Sequence, residues 1–159
     1  DSLGSLGPPD LAIHFNWPNR IKVNGANCGY TFYKAATKLE EEIPEWLVIG
    51  INIPFLWSKS TESGRLPEET VLFEEGCSEI TPIALLESWS RHTLVWLNRF
   101  LDEGLLPVHN AWCEKCENIG KKISYPKNGD FIGLDENGNM LLKKSNDITI
   151  EKLIDYMDK

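Results

Sequence analysis

The sequence predicts an α+β fold: a mixed β-sheet with two helices packed on it, followed by a small β-module. Three observations predict it. Residues 11–36 read as short β-prone segments broken by Pro18 and by Asn24-Gly25, a hairpin signal because both residues tolerate positive φ. Residues 81–103 repeat apolar side chains at helical spacing between Thr81-Pro82 and Gly104. The tail carries further β-prone segments around Asn128-Gly129 and Glu136-Asn137-Gly138, both hairpin turns.

Composition narrows the class. At 159 residues the chain suits one domain, or one domain and a small module. With 42% apolar residues and six Trp, six Phe and four Tyr, it has the material for a packed core. A net charge of −8 and a pI near 4.9 exclude the basic face that nucleic acid or an anionic membrane requires. No apolar run approaches the ~20 residues of a spanning helix, and no basic start precedes an apolar centre as in a signal peptide. A start at Asp1 rather than Met is expected of a fragment or processed product. Four cysteines do not make a disulfide scaffold, so a reducing, cytoplasmic setting is expected.

In chain order, residues 1–10 are Gly- and Pro-rich and read as a linker or loop. Residues 11–16 read as a strand. Pro18 forbids a ladder donor and biases Trp17 to extended backbone, so the chain turns there. Residues 20–23 and 28–36 form the two arms of the Asn24-Gly25 hairpin. Residues 38–44 are an acidic connector. Residues 46–53 are nearly continuous β-prone hydrophobe, the pattern of a central strand covered on both faces. Residues 57–69 are polar and irregular, either a plain surface loop or a mobile loop beside a pocket. Residues 71–75 read as a short helix or a strand. The long helix has Thr81 as N-cap, Pro82 at its first position and Gly104 as its stop. Ile83, Leu86, Trp89, Thr93, Trp96, Leu97 and Phe100 form its apolar face, which places Trp89 and Trp96 in the core. A second helix is predicted over 107–117, three strands over 122–125, 130–134 and 140–144, and a strand running into a helix over 150–157.

One segment carries more information than the rest. Asn16-Trp17-Pro18-Asn19-Arg20, followed by Asn24-Gly25-Ala26-Asn27-Cys28-Gly29, resembles the "K-W-P-N-D … N-G-K-K-I-G-G" signature of biotin protein ligases. The likeness continues through Gly50-Ile51-Asn52, through the Asp102-Glu103-Gly104-Leu105-Leu106-Pro107 helix stop and through Trp112. Gly133-Leu134-Asp135-Glu136-Asn137-Gly138-Asn139-Met140-Leu141-Leu142 is similar to a hairpin of the family's SH3-like C-terminal domain. The order of elements resembles a divergent bacterial branch of the biotin/lipoate A/B protein ligase-like family. The resemblance implies three parts: a linker or loop over 1–10, the C-terminal part of a ligase-like catalytic domain over 11–119, and a small SH3-like β-barrel over 120–159. It implies a ligand-binding set of Trp17, Pro18, Asn19, Arg20, Asn27, Gly29, Gly50 and Asn52. The implied partners are a small acyl ligand or a biotinyl or lipoyl carrier domain, with a homodimer among the family's forms. ATP with Mg²⁺, and biotin or lipoate, are implied where the family activity is retained.

The departures bear on that activity. The family joins biotin to ATP as an adenylate and then passes the biotinyl group to a lysine. A carboxylate approaching an α-phosphate needs its repulsion neutralised by cations. Asn16 stands where the family has its first lysine, Arg20 where it has an aspartate near the metal, and Asn27 where it has a second lysine. The Gly/Arg-rich loop that wraps the adenylate in the family is not in these 159 residues and is expected upstream in a longer precursor. Each lost charge-assisted contact costs ~2–4 kcal/mol of transition-state stabilisation. Arg20 reads either as a clamp on a ligand carboxylate or phosphate or as a solvated arginine on an edge strand. Three functions follow: a ligase-like binding protein without efficient adenylation, a divergent active ligase in which Lys22, Lys34 or Lys38 replaces lost charge, or an interaction module with a filled pocket.

Other chemistry is sparse. Cys113-Glu114-Lys115-Cys116 is a C-x-x-C without a second half at zinc-finger spacing, so no metal is assigned. His14, His92 and His109 are scattered and compose no triad with a nucleophile. Glu40-Glu41-Glu42 and Glu68-Glu69 read as solvated loop charges.

Overall fold

A computed structural model describes residues 1–37, 44–58 and 67–157. The elements are α1 (Ser2–Leu6), β1 (Ile13–Asn16), β2 (Arg20–Val23), β3 (Ala26–Ala35), β4 (Leu47–Asn52), α2 (Pro82–Glu103), α3 (Leu106–Lys115), β5 (Lys122–Ile123), β6 (Gly129–Leu134), β7 (Met140–Lys144) and β8 (Asp147–Glu151). A 3-10 turn, Leu153–Asp155, follows β8. The fold is α+β, with two four-stranded sheets ordered β1-β2-β3-β4 and β5-β6-β7-β8. Every strand pairing is antiparallel, where the sequence suggested a mixed sheet. Connections as short as the Pro18 corner and the Asn24-Gly25 turn leave no room for the crossover that parallel neighbours need. Asn24 and Gly25 sit at φ 49° and 89°, as that hairpin demands.

The first core gathers Ile21, Val23, Cys28, Leu72, Cys77, Ile80 and Leu85. Leu3 joins it from α1, so residues expected as linker or loop include a helix that contributes to packing. Residues 71–75 are neither helix nor strand; they form turns whose Val71 and Leu72 are buried. The second core gathers Phe131, Met140 and Leu142 from the C-terminal sheet with Trp17 from the corner between β1 and β2. Phe15 stacks on Trp112 at 6.2 Å, fastening α3 to β1.

Two further expectations are corrected. β4 is the edge of its sheet rather than a centre strand, and Trp46, Leu47 and Val48 are each about half exposed. The helix α2 has the predicted ends: Thr81 Oγ1 accepts from Ala84 N at 3.1 Å, and Gly104 closes it. Its predicted inward face is largely outside, with Ile83 71%, Leu86 57% and Phe100 44% exposed. Leu85 and Ser88 are its buried residues. The reason lies in its neighbours. α2 meets the short α1, where Ser5 and Ser88 hydroxyls lie 3.2 Å apart, and α3, rather than a broad sheet face. Trp96 is half-buried; its indole donates to Asp1 Oδ2 at 2.6 Å while Arg99 covers its ring. No helix among the described residues is long and apolar enough to cross a membrane.

Candidate functional site

A cavity of about 340 Å³ opens between β2, β3, the end of β4 and the segment around Thr70. Four of the expected ligand-binding residues line it: Arg20, Asn27, Gly29 and Asn52. Strand pairing brings them together. Tyr30 is opposite both Arg20 and Asn52, so three strands meet at one level of the sheet. Between Arg20 and Lys22 the β2–β3 register shifts. An irregularity of this kind unpairs a residue and re-aims the side chains beside it.

Gly29 sits in that irregular stretch at φ +120°. A side-chain carbon there would fall 2.0 Å from the backbone oxygen of Asn52. Only glycine lets β3 and β4 approach so closely beside the cavity. Gly50 serves packing instead, since the Phe32 ring lies over it and a side-chain carbon would meet Cζ at 2.2 Å. Gly50 does not line the cavity.

Trp17, Pro18 and Asn19 are also off the lining and hold the corner instead. Trp17 is 5% exposed, its indole N–H donates to the Gly138 carbonyl at 3.1 Å, and Tyr156 meets its ring edge-on at 5.1 Å. Asn19 is bonded twice to Thr31: its Nδ2 donates to Thr31 O at 2.8 Å, and Thr31 N donates to Asn19 O at 2.9 Å. Pro18 follows a cis peptide bond.

The electrostatics are sparse. Among the described residues no lysine lines the cavity; Arg20 supplies its cation and Glu69 its carboxylate. The Arg20 guanidinium stands 5.5 Å over the Tyr30 ring, an orienting contact for an exposed cation. Asn27 is held by backbone bonds to both sides of Glu69: its N–H donates to Glu68 O at 2.8 Å, and Thr70 N donates to its carbonyl at 2.9 Å. The Thr70 hydroxyl donates to Glu75, which also accepts from Asn24 Nδ2 at 2.7 Å. Among the described lining residues Glu69 is the one carboxylate, so a Mg²⁺ here would depend on ligand phosphates and water for its remaining donors. Asn16, in place of the family's lysine, is off the lining, and its Oδ1 is buried without a partner.

Lys22, a candidate for replacing lost charge, is committed elsewhere. Its Nζ donates to Glu117 Oε2 at 2.7 Å, and His14 Nδ1 lies 3.5 Å from the other oxygen. The Lys22 hydrogen bond holds the Glu117 carboxyl below its usual range. Lys34 is exposed on β3 and off the lining. Lys38 and Glu40-Glu41-Glu42 lie outside the described residues. Cys113 Sγ is 3.9 Å from a ring nitrogen of His109, and no three His, Cys, Asp or Glu side chains converge on a metal site among the described residues.

Sequence reasoning missed Trp57, Leu56 and Val71 on the lining. Trp57 Nε1 is buried without an acceptor among the described residues. The available signal was position: Trp57 follows Gly50-Ile51-Asn52 by five residues, at the start of a loop read either as plain surface or as mobile beside a pocket.

An antiparallel α+β sheet with an Asn- and Gly-lined cavity beside a Trp-Pro-Asn corner is the frame of a biotin-ligase-like protein. The chain belongs to the Biotin/lipoate A/B protein ligase family, which matches residues 1–114. It is similar to the crystal structure of a biotin protein ligase-like protein of unknown function from Silicibacter sp. TM1040, at 34% identity and TM-score 0.86, covering 97% of this chain and 66% of that one. It shares its fold with the apo biotin protein ligase of Aquifex aeolicus, at 16% identity and TM-score 0.74, covering 94% and 65%. The same Aquifex enzyme in complex with biotin and ATP aligns at 15% identity and TM-score 0.69, covering 94% and 62%. The chain thus spans just under two thirds of the length of these structures. No curated protein matches it.

Proposed function

We propose that this chain is a binding member of its family, holding a small acyl or nucleotide ligand in the 340 Å³ cavity without efficient adenylation. The observation that carries the reading is the lining: Arg20, Asn27, Gly29 and Asn52 converge, and Arg20 is the one cation among the described lining residues. Convergence supports a ligand site and weighs against a filled pocket. The shortage of cations among the described lining residues weighs against catalysis, because a pentavalent phosphate needs several positive groups at once. Arg20 is the anchor for a ligand carboxylate or phosphate. The indole N–H of Trp57 is a donor without an acceptor among the described residues, and one acceptor atom of a ligand would satisfy it.

Residues 11–119 are read as the C-terminal part of a ligase-like catalytic domain and 120–159 as an SH3-like module. The family match ending at residue 114 supports that division. A biotinyl or lipoyl carrier domain and a homodimer partner are further candidates for binding, in a cytoplasmic setting. The second reading, a divergent active ligase, needs charge from elsewhere; the engagement of Lys22 with Glu117 weighs against Lys22 as its source.

Calorimetry with ATP, biotin and lipoate, alongside pyrophosphate exchange, tests the reading. Binding is expected with at least one of them, lost about tenfold or more in Arg20→Ala, without exchange above background. Measurable exchange would establish the active ligase, and absence of any binding would restore the filled-pocket module.

A further inference from the structure

We propose that the C-terminal sheet sets the position of Arg20 in the cavity, with Trp17 as the positioning residue. The inference rests on reading the cavity as a ligand site. Arg20 follows Trp17 by three residues, with Pro18 and Asn19 between. Trp17 belongs to the core of the C-terminal sheet, among Phe131, Met140 and Leu142, which are 1% exposed or less. Its indole is fixed at two points, by the Gly138 carbonyl at 3.1 Å and by the Tyr156 ring at 5.1 Å. Tyr156 is in turn held by its hydroxyl, which donates to Glu151 Oε2 at 2.9 Å.

The other end of the corner is fastened to the first sheet by the Asn19–Thr31 bonds. Arg20 therefore lies just beyond two anchors on different sheets. On the β3 side the ladder beyond it gives little independent support, since the register shifts between Arg20 and Lys22, and on the β1 side Arg20 pairs with Asn16, the residue next to Trp17. A guanidinium on a long flexible stem reaches a fixed point only if its backbone origin is fixed. Loosening Trp17 moves that origin without touching the cavity, because neither Trp17 nor Tyr156 is on its lining.

The test uses the whole chain with ATP as probe, in a double-mutant cycle. Tyr156→Ala and Trp17→Phe are each measured alone and in the Arg20→Ala background. Both are expected to weaken ATP binding about threefold or more when Arg20 is present and to change it little when Arg20 is absent. Equal weakening in both backgrounds would mean a general structural role and overturn the proposal. Amide exchange in the ligand-free protein provides the arm independent of the cavity reading. Exchange of the Thr31 N–H, which donates to Asn19, is expected to rise in both variants. If Thr31 stays protected while β6 and β7 amides open, the positioning role is refuted whether or not wild-type protein binds ATP. Tyr156→Phe, which keeps the ring and removes the hydroxyl that donates to Glu151, serves should either larger change prevent folding.

Discussion

The indole of Trp17 donates a hydrogen bond to the carbonyl of Gly138, 121 positions further along the chain. That contact binds the most recognisable corner of the first sheet into the core of the second. Trp17, expected in the ligand-binding set, joins two sheets, and Arg20 at the corner's far side lines the cavity.

Gly29 is expected to be the least replaceable glycine near the site. Gly29→Ala meets both left-handed backbone and the Asn52 oxygen, whereas Gly25→Ala meets only the backbone cost, with no atom within 4 Å. Urea unfolding is expected to show a loss of ~1–2 kcal/mol for Gly25→Ala and clearly more for Gly29→Ala. Equal losses would mean that β3 and β4 separate without cost.

The Lys22–Glu117 pair has a defined pH signature. Its side chains are 17% and 21% exposed, so Lys22→Met is expected to cost about 1–2 kcal/mol at pH 7. The hydrogen bond from Lys22 holds Glu117 below its ordinary 4.5. The pair's contribution is therefore complete above that value and is lost as pH falls through the lower folded value. Unfolding at pH 7 and at pH 3 should show the gap between wild type and Lys22→Met narrowing in acid; a constant gap would assign the cost to packing alone.

Cys28 should resist thiol reagents in the native protein. It is fully buried, and burial, with Glu75 and Cys77 nearby, pushes its thiol from 9.0 up to about 12. The unfolded chain ionises at the ordinary value, so this group reduces stability as pH rises from about 9 towards 12. Timed alkylation at pH 8 with peptide mapping is expected to label Cys113 well before Cys28. Early labelling of Cys28 would mean that the first core opens readily.

The outer face of α2 should tolerate charge. Leu101 and Ile83 are 76% and 71% exposed. Leu101→Glu is expected to change stability by no more than ~0.5 kcal/mol and to reduce self-association in sedimentation experiments. A loss of several kcal/mol would show that another part of the protein covers the helix.

Much of the architecture was legible in local chemistry. Pro18, Asn24-Gly25, Thr81-Pro82 and Gly104 each act on the backbone within a few residues, so the corner, the hairpin and the ends of α2 fall where the residues place them. The strand over 46–53 was legible as a strand, but its place in the sheet was not. A continuous apolar run records that a strand favours burial, and only pairing decides which strand stands at the edge. The inward face of α2 was misjudged for a related reason: periodicity identifies an apolar stripe, and the neighbours present decide whether it is covered.

The site divides in the same way. By itself the sequence determined the family frame and which residues, Asn16, Arg20 and Asn27 among them, stand in the corner and hairpin, because residue identity is a local fact. Tertiary structure alone decided that Arg20, Asn27, Gly29 and Asn52 share one cavity, that Trp57 joins them, that Lys22 is tied to Glu117 and that Trp17 is buried in the second core. Each of those outcomes is a contact between residues distant in the chain. Such contacts are set by strand register and by packing between sheets, which no short motif encodes.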